Sequence, residues 1–299
     1  MNQPFKSGFA VMFGRPNTGK STLLNRLVGT KVAIVSPRPQ TTRNRIAGVV
    51  NLPEGQIVFL DTPGIHEPKH KLGEYLVASA RAALPGAEVI LFVADASDPP
   101  HADDGRSAEM LRPLASPVLL VLNKMDLVRP EELEKRVEEF QGLGTFKDWV
   151  AVSALEGTNV DVLLHKIVAE LPEGPPYFPP EMRTDRSPEF MVAELVREQV
   201  LHHTREEIPH SVAVQVETME PRPNNLIYIA ATVFVERASQ KKILIGEGGQ
   251  MLRRIGQGAR EGIEELLGKK VYLELWVKVR EKWRTDERQL RRLGYALED

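Results

Sequence analysis

The sequence predicts an α/β domain with a mostly parallel sheet, followed by a smaller α+β domain. With 299 residues, the chain is long enough for two cores of ordinary size. Short apolar runs alternate with amphipathic segments from residue 9 to residue 171, a pattern typical of strands joined by crossover helices. A proline-rich segment follows and reads as a semi-extended linker. We therefore predict domains at 1–171 and 188–299, joined by a linker at 172–187.

Composition excludes several kinds of function. Hydrophobic residues make up 42% of the chain and charged residues 27%, and the formal net charge is -2, so any nucleic-acid site must be local. There are no cysteines, which excludes disulfides and cysteine nucleophiles and fits the cytoplasm. The N-terminus lacks a signal pattern, and no apolar run reaches the roughly 18 residues that span a bilayer. We expect neither export nor a membrane span.

Six apolar runs are the candidate strands of the first domain. They cover residues 9–13, 45–50, 57–60, 89–94, 118–122 and 149–152. Ligands of open parallel sheets bind beyond the carboxyl ends of the strands, so functional residues are expected directly after these runs. The second domain is predicted to contain a helix at 188–207, strands at 212–220, 225–236 and 271–279, and paired helices around 246–267.

A phosphate-loop pattern follows the first run and precedes an amphipathic segment. The residues predicted to contact the nucleotide phosphates are Gly14, Arg15, Pro16, Asn17, Thr18, Gly19, Lys20, Ser21 and Thr22. Glycines at this spacing let backbone N–H groups turn toward phosphates, and the following helix presents its positive end. Lys20 would reach the β and γ phosphates, and Ser21 would offer its hydroxyl to Mg²⁺.

A second motif follows the third run and is expected to contact the metal and the γ-phosphate. It comprises Asp61, Thr62, Pro63 and Gly64. The Asp61 carboxylate would hold a Mg²⁺-bound water, because carboxylates are hard oxygen ligands. The backbone N–H of Gly64 would lie close to the γ-phosphate.

Two further motifs are expected to recognise the base. The motif after the fifth run comprises Asn123, Lys124 and Asp126, and the motif after the sixth comprises Ser153, Ala154 and Leu155. The Asp126 carboxylate would accept hydrogen bonds from the ring N–H and the exocyclic amine of guanine, a pair that adenine does not offer. Such a site rejects an unmatched ligand by about 10⁴-fold, so GTP and GDP are the predicted ligands. The Ala154 N–H would reach the guanine oxygen, and Ser153 would brace the loop.

The four motifs together resemble those of the translation-factor-related class of small GTPases, and they occur in the order typical of that class. The resemblance implies that residues 40–43 form the switch I element. It also implies that Thr42 ligates Mg²⁺, together with Ser21 and Asp61, only when the γ-phosphate is present. Thr41 is the alternative ligand.

Catalysis is expected to depart from that of many Ras-like proteins. These place a glutamine after the glycine of the second motif, whereas this chain has Ile65. An apolar side chain cannot orient the attacking water, so another group must stabilise the transition state. In relatives with the same Gly-x-Pro-Asn loop, the asparagine, here Asn17, holds a potassium ion; the alternative is that Asn17 only accommodates an unusual backbone conformation. The predicted catalytic residues are Asn17, Lys20, Thr42 and Gly64.

A basic glycine loop marks the second domain. Residues 237–292 contain 15 Lys or Arg and 8 Asp or Glu, in a chain that is slightly acidic overall. The predicted RNA contacts are Lys241, Lys242, Ile245, Gly246, Glu247, Gly248, Gly249, Gln250, Arg253 and Arg254. Gly-x-x-Gly loops clamp about four single-stranded nucleotides in KH domains, and the predicted element order resembles a type II KH domain. Glu247 is unusual there, and Trp283 would either stack on a base or pack the last helix.

Residues 40–43, the short linker and a C-terminal domain that ends in Glu-Leu-Trp-Val-Lys-Val (274–279) resemble the Era family of GTPases over essentially the whole chain. The resemblance implies GTP hydrolysis, binding to the 3′ end of 16S rRNA and assistance in assembly of the 30S ribosomal subunit. It also implies loose association of some members with the inner membrane face, and no DNA partner. The alternatives are a GTPase of tRNA modification and a general RNA-chaperone switch.

Overall fold

The computed structural model describes residues 4–68 and 70–296, which divide into two compact units. Of the described residues, unit 1 contains 4–33, 42–68 and 73–185, and unit 2 contains 34–41, 70–72 and 186–296. The short segment 34–41 therefore belongs to unit 2, although unit 1 contains the residues on either side of it.

Unit 1 contains a six-stranded sheet in the order β2-β3-β1-β4-β5-β6. The strands are β1 (Lys6–Phe13), β2 (Ile46–Leu52), β3 (Gly55–Asp61), β4 (Val89–Asp95), β5 (Val118–Asn123) and β6 (Asp148–Ala151). The helices are α1 (Lys20–Val28), α2 (Lys71–Ala82), α3 (Ala102–Leu111), α4 (Pro130–Gln141) and α5 (Val160–Glu170), although the first two residues of α2 belong to unit 2. Only β2 runs antiparallel to its neighbour, so the predicted mostly parallel sheet is confirmed.

The first strand begins earlier than its apolar run predicts. Lys6 and Ser7 are polar, yet they pair in parallel with Gly55 and Gln56 of β3. Their backbone groups continue the ladder, which an apolar pattern alone does not reveal. The central strands β3, β4 and β5 are buried along their whole length, as expected for a sheet covered on both faces.

Most of the segment predicted as a linker packs within unit 1. The buried side chain of Gln56 accepts hydrogen bonds from the N–H groups of Tyr177 and Phe178 at 2.7 and 2.9 Å and donates to the Phe178 carbonyl at 2.7 Å. Ser7 Oγ donates to the Pro175 carbonyl at 2.6 Å. A proline-rich backbone makes no ladder of its own, so these side chains satisfy its polar groups.

Unit 2 contains a three-stranded sheet in the order β7-β8-β9, with β7 and β8 antiparallel and β8 and β9 parallel. Its strands are β7 (Ala213–Arg222), β8 (Leu226–Val235) and β9 (Lys270–Val279). Its helices are α6 (Pro188–His203), α7 (Ile208–Ser211), α8 (Ala238–Ile245), α9 (Gln250–Leu267) and α10 (Glu287–Arg292). A smaller α+β unit is thus confirmed.

The first helix of unit 2 is shorter than predicted. It ends at His203, because Thr204 adopts an extended conformation and its hydroxyl donates to the Val200 carbonyl at 2.6 Å. That side-chain bond satisfies a carbonyl that the helix end would otherwise leave unpaired. In the described ranges, no helix has the combination of length and apolar character needed to cross a bilayer.

The base-stacking interpretation of Trp283 is wrong. Its side chain is fully buried, and Nε1 donates to the Ser211 carbonyl at 2.9 Å. The ring also stacks on Tyr295, with centroids 5.8 Å apart. Trp283 is therefore a packing residue of the C-terminal segment, as the alternative interpretation proposed.

Candidate nucleotide site and basic glycine loop

The motifs of unit 1 follow strands whose carboxyl ends lie at one edge of the sheet. In the parallel ladders, Met12 of β1 is opposite Asp61 of β3, and Asp95 of β4 is opposite Asn123 of β5. The loops after these strands therefore meet where ligands of such sheets bind.

Lys20 lies across the phosphate loop. Its Nζ donates to the carbonyls of Gly14 and Arg15 at 3.0 and 2.7 Å, and the residue is buried. Burial lowers the pKa of Lys20 from 10.5 to about 8, although Asp61 opposes this shift. A bound polyphosphate would supply the anionic partner that favours the charged form.

Asn123 joins three of the loops. Its Nδ2 donates to the Thr18 carbonyl at 2.8 Å, and its Oδ1 accepts from the Ala154 N–H at 2.9 Å. Gly19 is required beneath it, because its φ is +89° and a Cβ there would lie 2.3 Å from Asn123 Nδ2. The Ala154 N–H, which is expected to reach the guanine oxygen, donates here to Asn123, whose buried oxygen requires a partner.

Ser21, Thr42 and Asp61 form a compact oxygen cluster. Ser21 Oγ lies 2.7 Å from Thr42 Oγ1, and both hydroxyls bond Asp61 Oδ2, at 2.7 and 3.2 Å. Oxygens at neighbouring corners of a Mg²⁺ octahedron are about 2.9 Å apart, so the spacing of Ser21 and Thr42 suits two direct ligands, and Asp61 is near enough to hold a water of the ion. The described residues offer no hydrogen-bond partner to the buried Asp61 Oδ1, and burial raises the pKa of this carboxyl. The three side chains therefore fit Mg²⁺.

Thr41, the alternative ligand, is engaged elsewhere. Its hydroxyl donates to the Arg38 carbonyl at 2.6 Å, within the segment that belongs to unit 2. The structure brings Thr42, and not Thr41, to Ser21 and Asp61, which favours Thr42 as the metal ligand.

The second motif packs directly on the phosphate loop. A Cβ at Gly64 would lie 2.5 Å from the Pro16 nitrogen, and the N–H of Ile65 donates to the Gly14 carbonyl at 3.2 Å. Thr62 Oγ1 donates to the Met12 carbonyl at 2.7 Å, which fixes the backbone that follows Asp61. Gly64 is thus needed for the close approach of two loops.

Two carboxylates that sequence reasoning missed organise the same edge. The fully buried Asp104 accepts from Arg15 Nε at 3.0 Å, and Asp95 binds Lys124 at 2.5 Å and lies 3.9 Å from Arg15. Burial raises the pKa of Asp95, but hydrogen bonds from Lys124 and Ser97 outweigh it and lower the pKa below its usual value. The sequence signal that could have identified Asp95 is its position directly after an apolar run.

The expected base-recognition residues differ in exposure. Asp126 is exposed on a short 3₁₀ turn, Met125–Leu127, so its carboxylate is accessible. Ser153 Oγ accepts from the Glu156 N–H at 3.0 Å and braces its loop. Arg26 holds the same loop through the carbonyls of Ala154, at 3.1 Å, and Leu155, whose side chain is exposed.

Asn17 is the residue that is expected to hold a potassium ion. It is exposed and adopts a left-handed backbone conformation, with φ of 65°. Asparagine tolerates this region better than most residues, so the conformation agrees with the backbone interpretation. An exposed side chain at this point of the phosphate loop also agrees with the potassium hypothesis.

The glycine loop of unit 2 connects α8 to α9. Gly246, Gly248 and Gly249 all have positive φ, and a Cβ at either of the last two would meet no atom within 4 Å. Lys242, Arg253 and Arg254 are exposed, and Lys241 is half-buried. Glu247 is also exposed, so it contributes an opposing charge at the surface. Ile245 is half-buried and Gln250 begins α9.

Two family models match separate parts of the chain. A model described as a 50S ribosome-binding GTPase matches residues 9–124, and a KH-domain model matches residues 207–284. The first region lies in unit 1, apart from 34–41 and 70–72, and includes the phosphate loop, and the second lies in unit 2 and includes the glycine loop.

Relatives and solved structures match over nearly the whole chain. The chain is 51% identical to GTPase Era of Heliobacterium modesticaldum over 98% of both chains, and 51% identical to GTPase Era of Alkaliphilus oremlandii over 97% of this chain and 99% of that one. A crystal structure of Era with MgGDPNP and nucleotides 1506–1542 of 16S ribosomal RNA has a TM-score of 0.95 and 44% identity, covering 98% of this chain and all of that one. An Aquifex aeolicus Era variant bound to GDP·AlF₄⁻ has a TM-score of 0.94, 43% identity and the same coverage.

Replacement of Asn123 by alanine is expected to loosen the three loops together. The change leaves the Thr18 carbonyl and the Ala154 N–H without their buried partner, so the free energy of unfolding of the nucleotide-free protein should fall by about 1–3 kcal/mol. Nucleotide should also dissociate faster. Denaturant unfolding and fluorescent-nucleotide release would measure both, with Asn51→Ala as the control, because it also removes two amide hydrogen bonds, to the Pro180 carbonyl and from Gln56 Nε2, but less buried ones. Wild-type stability and release in Asn123→Ala would contradict this role.

Proposed function

We propose that this chain, which belongs to the Era family of GTPases, converts GTP to GDP and phosphate in unit 1 and binds single-stranded RNA through unit 2. The observation that carries the first part is the cluster of Ser21, Thr42 and Asp61 beside a phosphate loop. A triphosphate with Mg²⁺ would complete both the charge and the coordination of this cluster.

The phosphate groups are held mainly by fixed charges and dipoles. Backbone N–H groups of the phosphate loop, apart from Pro16, which has none, and the positive end of α1 would face the phosphates, and Lys20 would neutralise the β and γ groups. Ser21 and Thr42 would hold Mg²⁺ directly, and Asp61 would hold it through a water. The ion neutralises charge between the β and γ phosphates when it is bound.

Hydrolysis requires a water to attack the γ-phosphorus while the bond to the β-phosphate oxygen breaks. The Gly64 N–H steadies the γ-phosphate oxygens, and the buried Ile65 excludes bulk water without orienting the attacking one. Asn17 would hold a potassium ion, and that ion would supply positive charge beside the phosphates to stabilise the transition state.

Guanine is selected by paired hydrogen bonds to the Asp126 carboxylate. Lys124 is fixed beside the base by Asp95, and the 153–155 loop closes the pocket. The Ala154 N–H, which donates to Asn123 in this structure, also lies within the loop that would face the guanine oxygen.

The RNA partner is the 3′ end of 16S rRNA, and the protein assists assembly of the 30S subunit. A similar Era protein was solved with nucleotides 1506–1542 of that RNA, and the exposed cations around Gly248 suit a phosphate backbone. Because this partner is ribosomal, we place the protein in the cytoplasm, with a peripheral fraction at the inner membrane face. No DNA partner is proposed.

Replacement of Asp126 by asparagine should shift base preference from guanine to xanthine. The amide offers a donor where the carboxylate offered only acceptors, and xanthine carries a carbonyl where guanine carries an amine. Titration with GTP and XTP should show at least a hundredfold loss of GTP affinity and a gain for XTP. Equal GTP affinity in variant and parent would refute the assigned base contact, and thereby the GTP pocket.

Hydrolysis should be faster in potassium than in sodium at equal ionic strength. An arginine finger adds about 10³–10⁵ in rate where one occurs, and a bound cation should recover part of that. Asn17→Gly retains the left-handed backbone but removes the side chain, so it should abolish the difference between the two salts. Asn17→Ala adds backbone strain and serves for comparison. Potassium stimulation that survives in Asn17→Gly would show that Asn17 serves only the backbone.

Replacement of Gly248 by aspartate should lower affinity for single-stranded RNA at least tenfold. The added side chain and charge block the approach of phosphates to the loop, and no neighbouring atom is displaced. Gly268→Asp is a matched control, because Gly268 also has positive φ and open space but ends α9. Filter binding of a 16S 3′-end oligonucleotide would measure the loss. Equal affinities of the two variants would exclude the loop as the RNA site.

A further inference from the structure

Segment 34–41, which leads into Thr42, is built into unit 2. Ile34 is 1% exposed and belongs to the hydrophobic core of that unit, together with Val196 and Val200 of α6. The adjacent residue Thr42 belongs to unit 1. One of the boundaries between the two units therefore falls directly before the proposed metal ligand.

Hydrogen bonds to α6 and to Thr204, the residue after it, hold this segment. Glu198 accepts from the Val35 N–H at 2.9 Å, and the His202 ring bonds the Val35 carbonyl at 3.0 Å. Arg38 donates to the Thr204 carbonyl at 3.1 Å. The segment is thus fastened at its beginning and its middle.

Arg197 fastens the end of the segment. Its guanidinium is almost fully buried and binds both oxygens of Glu194, through Nε at 2.8 Å and through Nη2. Nη2 also donates to the Thr41 carbonyl. A planar guanidinium held by a carboxylate in this way has little freedom to move, so the carbonyl of Thr41 is held in one position.

We infer that Arg197 is a positioning residue for the GTP-bound state: by holding the Thr41 carbonyl, it sets Thr42 beside Ser21 and Asp61. This inference rests on the proposed function, because Thr42 matters only where Mg²⁺ and a γ-phosphate are bound. GDP lacks the γ-phosphate and does not use Thr42. Arg197 therefore contributes to affinity for GTP and not to affinity for GDP.

The arrangement also couples nucleotide binding to the contacts that segment 34–41 makes in unit 2. A γ-phosphate that draws Thr42 to the metal acts, one peptide bond away, on a backbone held by α6. If a ligand of unit 2 changes the contacts of this segment, linkage requires that it change GTP affinity by the same factor by which GTP changes the affinity for that ligand.

The test compares affinities for GDP and for a non-hydrolysable GTP analogue in the full-length protein with Mg²⁺. Arg197→Met should lower analogue affinity about tenfold, the value of one charge-assisted hydrogen bond, and leave GDP affinity unchanged. Arg197→Lys should recover part of the loss. Arg284→Met is the matched control, because it breaks another Arg–carboxylate pair of unit 2, with Glu236. Should Arg197→Met fold poorly, Glu194→Gln/Arg197→Met removes the uncompensated buried carboxylate.

A double-mutant cycle decides whether Arg197 acts through Thr42. In the Thr42→Ala background, Arg197→Met should cause no further loss, because the group it positions is gone. A tenfold loss in both backgrounds, or an equal loss in Arg284→Met, would overturn the inference. So would an unchanged ratio of analogue to GDP affinity in a folded Arg197→Met. Failure of the proposed function looks different, since the parent protein itself would then bind the analogue without dependence on Mg²⁺.

Discussion

The side-chain amide of Asn123 is the interaction on which the nucleotide site depends. It reaches the phosphate loop through Thr18 and the loop after β6 through Ala154, while its own backbone ends β5. Because the amide occupies the space above Gly19, the loop can pass only with a residue that lacks a Cβ. The sheet edge alone would bring these loops near one another, and the amide gives them one arrangement.

The pocket that results is preorganised at an electrostatic cost. Burial lowers the pKa of Lys20 and raises that of Asp61, so each charged form is less stable than it would be in water. Bound polyphosphate would favour the charged form of Lys20 and bound Mg²⁺ would favour the ionised form of Asp61, so the proposed ligands would relieve both penalties. Arg15, beside the loop, already has anionic partners, because it donates a hydrogen bond to Asp104 and lies close to Asp95. Binding and folding are therefore coupled through charge.

The sequence predicts the family, both fold classes and the position of every motif, because motifs and strand ends are local patterns. It does not predict partners that the fold brings together. Gln56 reads as an ordinary strand residue, yet it fastens the proline-rich segment 121 residues later to unit 1. The use of the Ala154 N–H by Asn123 and the burial of Asp104 likewise depend on long-range packing. Trp283 had two interpretations until its burial was seen, because tryptophan suits both a core and a base.

The division of the chain between Thr41 and Thr42 gives physical meaning to the term switch. A loop that belonged wholly to unit 1 could order around a γ-phosphate without any effect on unit 2. A loop held only by unit 2 would not sense the phosphate. Here Ile34 is buried in the core of unit 2, Glu198 and Arg197 fix the backbone, and Thr42, the proposed metal ligand, bonds Asp61 of unit 1, so residues 34–42 carry both sets of contacts. Any change in the position of Thr42 must then be met by strain in the segment or by loss of contacts with α6. The free energy of either response enters both the binding of GTP to unit 1 and the binding of RNA to unit 2.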